Sequence, residues 1–256
     1  MRTLSVIALT MLLMFSSTNA RCENGRETFG ADARAALGAY RGMVEEHAEG
    51  ILQSLHLIAA SEEAKSGTEE RYKPLLTQLA QDLSTESTVW FAYPDGNYYA
   101  TETDGMTDQN LKDRHYFEPL MAGKEVFGDL IVSKSTGHRS VIVAVPVHSN
   151  GKVVGGVGVS LRVALLSKLV DEHMHLPPNS YFYALERDTR IALHQKAERM
   201  FMTPSDVGDE ALGDQFKQAL QQNSGTFEYS LQGQKMSAIY ELSPKLGWYF
   251  FIAKEG

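Results

Sequence analysis

The chain has 256 residues, 43% of them hydrophobic, with a formal net charge of −8, which allows one large or two small domains with buried cores. Its acidity, with no clustered basic face, excludes nucleic-acid binding as a class. The single cysteine, Cys22, excludes an intramolecular disulfide.

Residues 1–20, MRTLSVIALTMLLMFSSTNA, carry one early basic residue, an apolar run from Leu4 to Phe15, and small residues leading to Ala20. The run is well short of the roughly 20 residues needed to cross a bilayer, so the segment is read as a secretory signal peptide, with an uncleaved N-terminal anchor as the alternative. Cleavage would remove Arg2 and move the charge from −8 to −9. A periplasmic or secreted product is expected. Arg21 is the wrong residue before a lipid-modified Cys22, so that thiol is read as incidental, with a lipoprotein as the alternative.

Residues 27–84 form an N-terminal helical region. From Phe29 to about Ala60, apolar residues at Leu37, Tyr40, Val44, Ala48, Ile51, Leu55 and Ile58 are three and four apart, the spacing of a long amphipathic helix. Gly38, Gly42 and Gly50 weaken its propensity, so packing must hold it, either over a core or along a dimer seam. Ser61–Glu69 reads as a loop, and Tyr72, Leu75, Leu76, Leu79 and Leu83 mark a second helix.

A first module is expected over 85–163. Thr88–Tyr93 and Tyr98–Thr101 read as strands around the turn Pro94-Asp95-Gly96-Asn97. Asp104–Asp108 reads as a loop. Strand-like runs Val126–Ser133, Ser140–Val147 and Val153–Leu161 follow, separated by Thr136-Gly137 and Asn150-Gly151. Short runs joined by tight turns favour an antiparallel sheet that can cup a ligand on one face. In Asp113-Arg114-His115-Tyr116-Phe117, the Arg114 fork suits a carboxylate and the aromatics can supply apolar walls. Arg114 can equally serve as an ion-pair partner of Asp113 or Glu118.

Val163, Leu165, Leu166, Leu169 and Val170 indicate a connecting helix that ends before Pro177-Pro178. A second, smaller module over 178–256 repeats the grammar: strands at Tyr181–Glu186 and Ile191–His194, a helix over Glu210–Gln221, then strands at Thr226–Leu231, Lys235–Leu242 and Trp248–Ala253.

Enzyme signatures are lacking. Gly155-Gly156-Val157-Gly158 has neither the Lys-Ser/Thr of a phosphate loop nor a dinucleotide spacing, and its glycines suit close backbone approach within a strand. There is no serine elbow, and Cys22 is a poor nucleophile. His173 and His175 lack a ligand cluster, and His194 is read as packed or exposed, so no metal and no cofactor is expected.

In order and spacing, these features resemble the double Cache family, the extracytoplasmic sensor module of bacterial chemoreceptors, histidine kinases and cyclases. The matching features are the long helix, Pro94-Asp95-Gly96, Asp113–Phe117, Ser133-Lys134-Ser135-Thr136-Gly137, Val143–Val147, Gly155–Val159, the Leu185–Thr189 turn leading to His194, and Leu246-Gly247-Trp248-Tyr249. The resemblance implies an α+β fold, two PAS-like antiparallel β-sheet modules in tandem along the long N-terminal helix, with ligand in the first. By position it implies that Arg114 contacts a ligand carboxylate and that Tyr116 and Phe117 line the pocket beside Ile131, Ser133 and Ser160. The amino-acid-binding branch has an aromatic at the Ile131 position and carboxylates at the Ser133 and Ser160 positions. An ammonium would be poorly compensated without those acids, so a small carboxylate lacking an amine is expected.

Family receptors continue through a membrane helix into an output domain, and this sequence ends at Gly256. The expectation is a sensor without its own output domain. The alternative is an accessory protein that regulates a membrane kinase, cyclase or chemoreceptor by contact.

Overall fold

The computed structural model describes residues 17–134 and 136–256, with side chains from Asp32 onward. The apolar run of the expected signal peptide, and the Cys22 side chain, lie outside the described residues. Among those described, no helix is long and apolar enough to cross a membrane.

Helix α1 (Ser17–Ala60) is the long helix anticipated by the three-four spacing. Ala33, Leu37, Tyr40, Val44, Ala48, Ile51, Leu55 and Ala59 are buried along one stripe. Gly38, Gly42 and Gly50 have nothing within 4 Å of where a side chain would begin, and each costs about 1 kcal/mol relative to Ala. Burial of the stripe must outweigh that cost. Ser61 caps the four-residue α2 (Glu62–Lys65), its Oγ accepting from the Ala64 N–H at 3.1 Å. This cap turns part of the expected loop helical. Helix α3 (Glu69–Asp82) follows, with Tyr72, Leu76 and Leu79 buried.

The first sheet comprises β1 (Ser87–Ala92), β2 (Asn97–Ala100), β3 (Gly105–Asn110), β4 (Val126–Val132), β5 (Arg139–Ser149) and β6 (Lys152–Arg162), in spatial order β3-β2-β1-β6-β5-β4. Strand β3 falls where a loop was expected. Its alternate side chains are polar and half-exposed, so it carries no apolar pattern, and it is held by backbone pairing to β2. Helix α4 (Phe117–Met121) interrupts the approach to β4. Helix α5 (Val163–His173) leads to the second sheet.

That sheet comprises β7 (Ser180–Leu185), β8 (Ile191–His194), β9 (Ser224–Leu231), β10 (Gln234–Leu242) and β11 (Tyr249–Glu255), in order β8-β7-β11-β10-β9. Between β8 and β9 lie a 3-10 turn at Ala197–Arg199, α6 (Pro204–Val207) and α7 (Glu210–Ala219). Removing the edge strand β3 from the first sheet leaves the same order, second-first-last-fourth-third, in both. All neighbouring strands are antiparallel. The fold is thus α+β, two PAS-like sheets in tandem along a long helix.

Strand alternation gives each sheet two faces. Val89 and Phe91 of β1, with Phe182 and Ala184 of β7, share one continuous core with the α1 stripe. Trp90 and Ala92 face the opposite way into a separate cluster, as do Tyr183 and Leu185. The middle of α1 meets the second module: Tyr40 packs against Phe182 and Phe250 at 5.0 and 4.9 Å, and Arg41 pairs with Glu241 at 2.6 Å. Its C-terminal half reaches the first, where His56 lies 3.2 Å from Glu125.

The modules also bond to each other directly. The buried Trp248 indole donates to the Gly128 carbonyl at 3.0 Å. Gly128 sits at φ +98, and a Cβ there would approach the Leu246 carbonyl oxygen to 2.6 Å, so only glycine fits. Arg139 donates to the Met200 carbonyl at 2.8 Å.

Candidate functional site

On the face of the first sheet opposite α1 lies a cavity of about 310 Å³, part of it open to solvent. Strand alternation supplies its floor: Thr88 and Trp90 are two apart on β1, Tyr98 projects from β2, Ile131 from β4 and Ser160 from β6. The segment between β3 and β4 closes over it with Leu111, Arg114 and Tyr116, and Ser133 and Lys134 follow β4.

Trp90 reaches this floor because of its cross-strand partner. It pairs with Gly158, where a Cβ would come within 2.3 Å of the indole. The missing side chain lets the ring lie against β6 and donate from Nε1 to Ser160 Oγ at 3.1 Å. Its ring centroid is 6.3 Å from that of Tyr116. Burial pushes the Tyr116 phenol pKa up, so this wall stays neutral.

Two cationic side chains border the cavity. Arg114 is half-buried, with Nη2 donating to the Val132 carbonyl at 2.6 Å. Its Nε is buried without a hydrogen-bond partner. No carboxylate among the described residues pairs with Arg114, because Asp113 is taken by Lys134. The Lys134 ammonium holds the Asp113 carboxyl below its usual range, and also donates to the Asn110 carbonyl at 2.7 Å. Among the described residues, no acidic side chain lines the cavity.

Of the residues singled out in the sequence, Arg114, Tyr116, Ile131, Ser133 and Ser160 are brought together around this one space. Phe117 is not. It is 5% exposed and packs beside the cavity in the cluster containing Leu120 and Ile142. Tyr116 is the N-cap of α4 and Phe117 its first residue. Successive helical side chains diverge by about 100°, so the two cannot both face the ligand space. His115 points elsewhere, with Nε2 3.1 Å from Asp129 Oδ1.

Sequence reasoning did not single out Thr88, Trp90, Tyr98, Leu111 or Lys134. Alternation in β1 separates Thr88 and Trp90 from Val89 and Phe91, so a signal for the face was present. The pairing of Trp90 with Gly158 was not visible without the register. As for metals, no group of three or more His, Cys, Asp or Glu side chains among the described residues is disposed to hold one.

The architecture is shared with solved sensory domains. The ligand-binding domain of the Pseudomonas aeruginosa amino acid chemoreceptor PctB, in complex with L-Arg, is 18% identical, with a TM-score of 0.70 and coverage of 91% of this chain and 96% of that one. The ligand-binding domain of the Pseudomonas fluorescens chemoreceptor CtaA, in complex with L-isoleucine, is 14% identical, with a TM-score of 0.68 and coverage of 94% and 96%. At such identities the likeness establishes the fold. The sequence itself matches the Cache domain over residues 26–255, and the chain therefore belongs to the double Cache family of small-molecule sensory domains.

Proposed function

We propose that this chain is an extracytoplasmic, non-enzymatic sensor unit that binds a small carboxylate in the first-module cavity. One observation carries the reading: the Arg114 guanidinium borders the cavity with a buried, unpartnered Nε and with no carboxylate partner among the described residues. Arg114, Tyr116, Ile131, Ser133 and Ser160 are assigned to the site, with Trp90 and Tyr98 as further walls. Phe117 supports Tyr116 from the core.

The amino acids in PctB and CtaA carry both a carboxylate and an ammonium. In this chain the first group meets Arg114, while the lining has no acid among the described residues for the second. Uncompensated burial of an ammonium is costly, which favours a carboxylate without an amine. The state of the sensor would be passed to a membrane signalling partner.

Thermal unfolding of the purified protein against a panel of organic acids and amino acids tests this. A saturating ligand at 100 times its Kd should add about 2.7 kcal/mol of stability. Arg114→Ala should weaken that binding on the order of 100-fold with the fold intact. Amine-free acids that do no better than amino acids, or unchanged affinity in Arg114→Ala, would overturn the assignment.

A further inference from the structure

The second module has a cavity in the place that corresponds, strand for strand, to the first. It holds about 330 Å³ of unfilled space, part of it open to solvent, on the face of the sheet away from α1. Tyr181 and Tyr183 of β7 and His194 of β8 line it as Trp90 of β1 and Tyr98 of β2 line the first. Tyr229 of β9 stands where Ile131 of β4 stands. Arg199 enters from the segment joining the second strand to the third of this sheet, as Arg114 does from the connection leading into β4.

The hydrogen bonding of His194 leaves this cavity one acceptor short. The residue is 3% exposed. Its Nδ1 accepts from the Lys196 N–H at 2.8 Å, so the neutral ring must carry its proton on Nε2. Desolvation, with Arg199 and Lys196 adding to it, lowers its pKa to about 3, which keeps the ring neutral. Nε2–H then faces Arg199 Nη1 at 3.4 Å, and every guanidinium nitrogen is a donor. Two donors therefore face one another, and no side chain among the described residues accepts between them. No carboxylate among the described residues pairs with Arg199, in contrast to Arg190, which pairs with Glu186. The hydroxyls of Tyr181 and Tyr183 lie 3.1 and 3.2 Å from that of Tyr229. The remaining wall is apolar, with Ile191, Val207, Leu212 and Phe216.

We propose that the second module is itself a ligand site for a small monocarboxylate with an aromatic or branched apolar body. Its carboxylate accepts from Arg199 and from His194 Nε2–H, and its body lies against Phe216 and Leu212. This site is separate from the first-module cavity and does not depend on the reading given for it.

Isothermal titration of the purified protein with benzoate, 3-methylbutanoate and inorganic phosphate separates the possibilities. Arg114→Ala, which removes the first-module clamp, isolates the second site: at least one of the two carboxylates should still bind there, one per chain. Adding Arg199→Gln should weaken that binding about tenfold or more. Val207→Trp, at the half-buried rim, should block it independently should Arg199→Gln fail to fold. Binding of neither carboxylate to Arg114→Ala, unchanged binding in both second-module variants, or a preference for phosphate over both carboxylates would each overturn the proposal. Failure of the first-module reading would look different, as a wild-type isotherm that Arg114→Ala leaves unaltered.

Discussion

The two modules share a strand order and a cavity position, yet their linings differ in kind. The first is edged by Arg114 and Lys134 with serine and threonine hydroxyls. The second is walled by tyrosines, aliphatics and a neutral histidine, with Arg199 at its edge. The sheet therefore dictates where a cavity forms, and side chains at equivalent strand positions decide what it accepts. Both are bordered by an arginine delivered by a connecting segment and not by a strand. Connections can change length and composition without disturbing the ladder, which makes them the adaptable half of each site.

The largest effect that would break this comparison is expected at Gly158. Gly158→Leu would drive a side chain into the Trp90 ring, and overpacking of this kind costs about 1–3 kcal/mol or more. Carboxylate binding in the first module should be lost while the second cavity stays competent. Urea unfolding together with titration of the two sites checks this, and equal loss at both would show that the cavities are not separable.

A second effect distinguishes the modules by pH. The His194 pKa is lowered from 6.5 to about 3, so between those values the unfolded chain holds a proton that the folded chain lacks. Stability from this group is complete above pH 6.5 and is lost as pH falls toward 3, at up to about 1.4 kcal/mol per pH unit. His47 is shifted the same way by partial burial. The difference between wild type and His194→Phe in the slope of unfolding free energy against pH isolates the second module. Parallel slopes would remove His194 as a buried neutral ring.

The smallest effect should not discriminate between modules at all. Gly38 is exposed on α1 with open space at its Cβ position, and α1 is common to both sheets. Gly38→Ala should raise stability by about 0.5–1 kcal/mol, seen as a rise of a few degrees in Tm, without altering either binding isotherm.

Much of the fold was legible in the sequence because its signals are local. The α1 stripe follows helical periodicity, and the Asp95-Gly96 turn and the apolar runs of β5 and β6 mark their own elements. The short α2, α4 and α6 were not legible. Each is four or five residues long, too short for a repeating pattern, and α2 and α6 are held by the Ser61 and Thr203 caps. Strand β3 was missed for a related reason: edge pairing needs backbone groups, not apolar side chains.

The candidate site shows the same division. The sequence by itself determined two repeated sheets, a long organising helix and an arginine beside aromatics at Arg114–Phe117, all of which depend on residues close together in the chain. Only the tertiary structure decided that Phe117 turns into the core, that Trp90 joins Ser160 across the space left by Gly158, and that Asp113 goes to Lys134 and not to Arg114. It also placed His194 and Arg199 donor to donor across a second cavity. These outcomes depend on strand register and on competition among partners distant in sequence, and a linear pattern encodes neither.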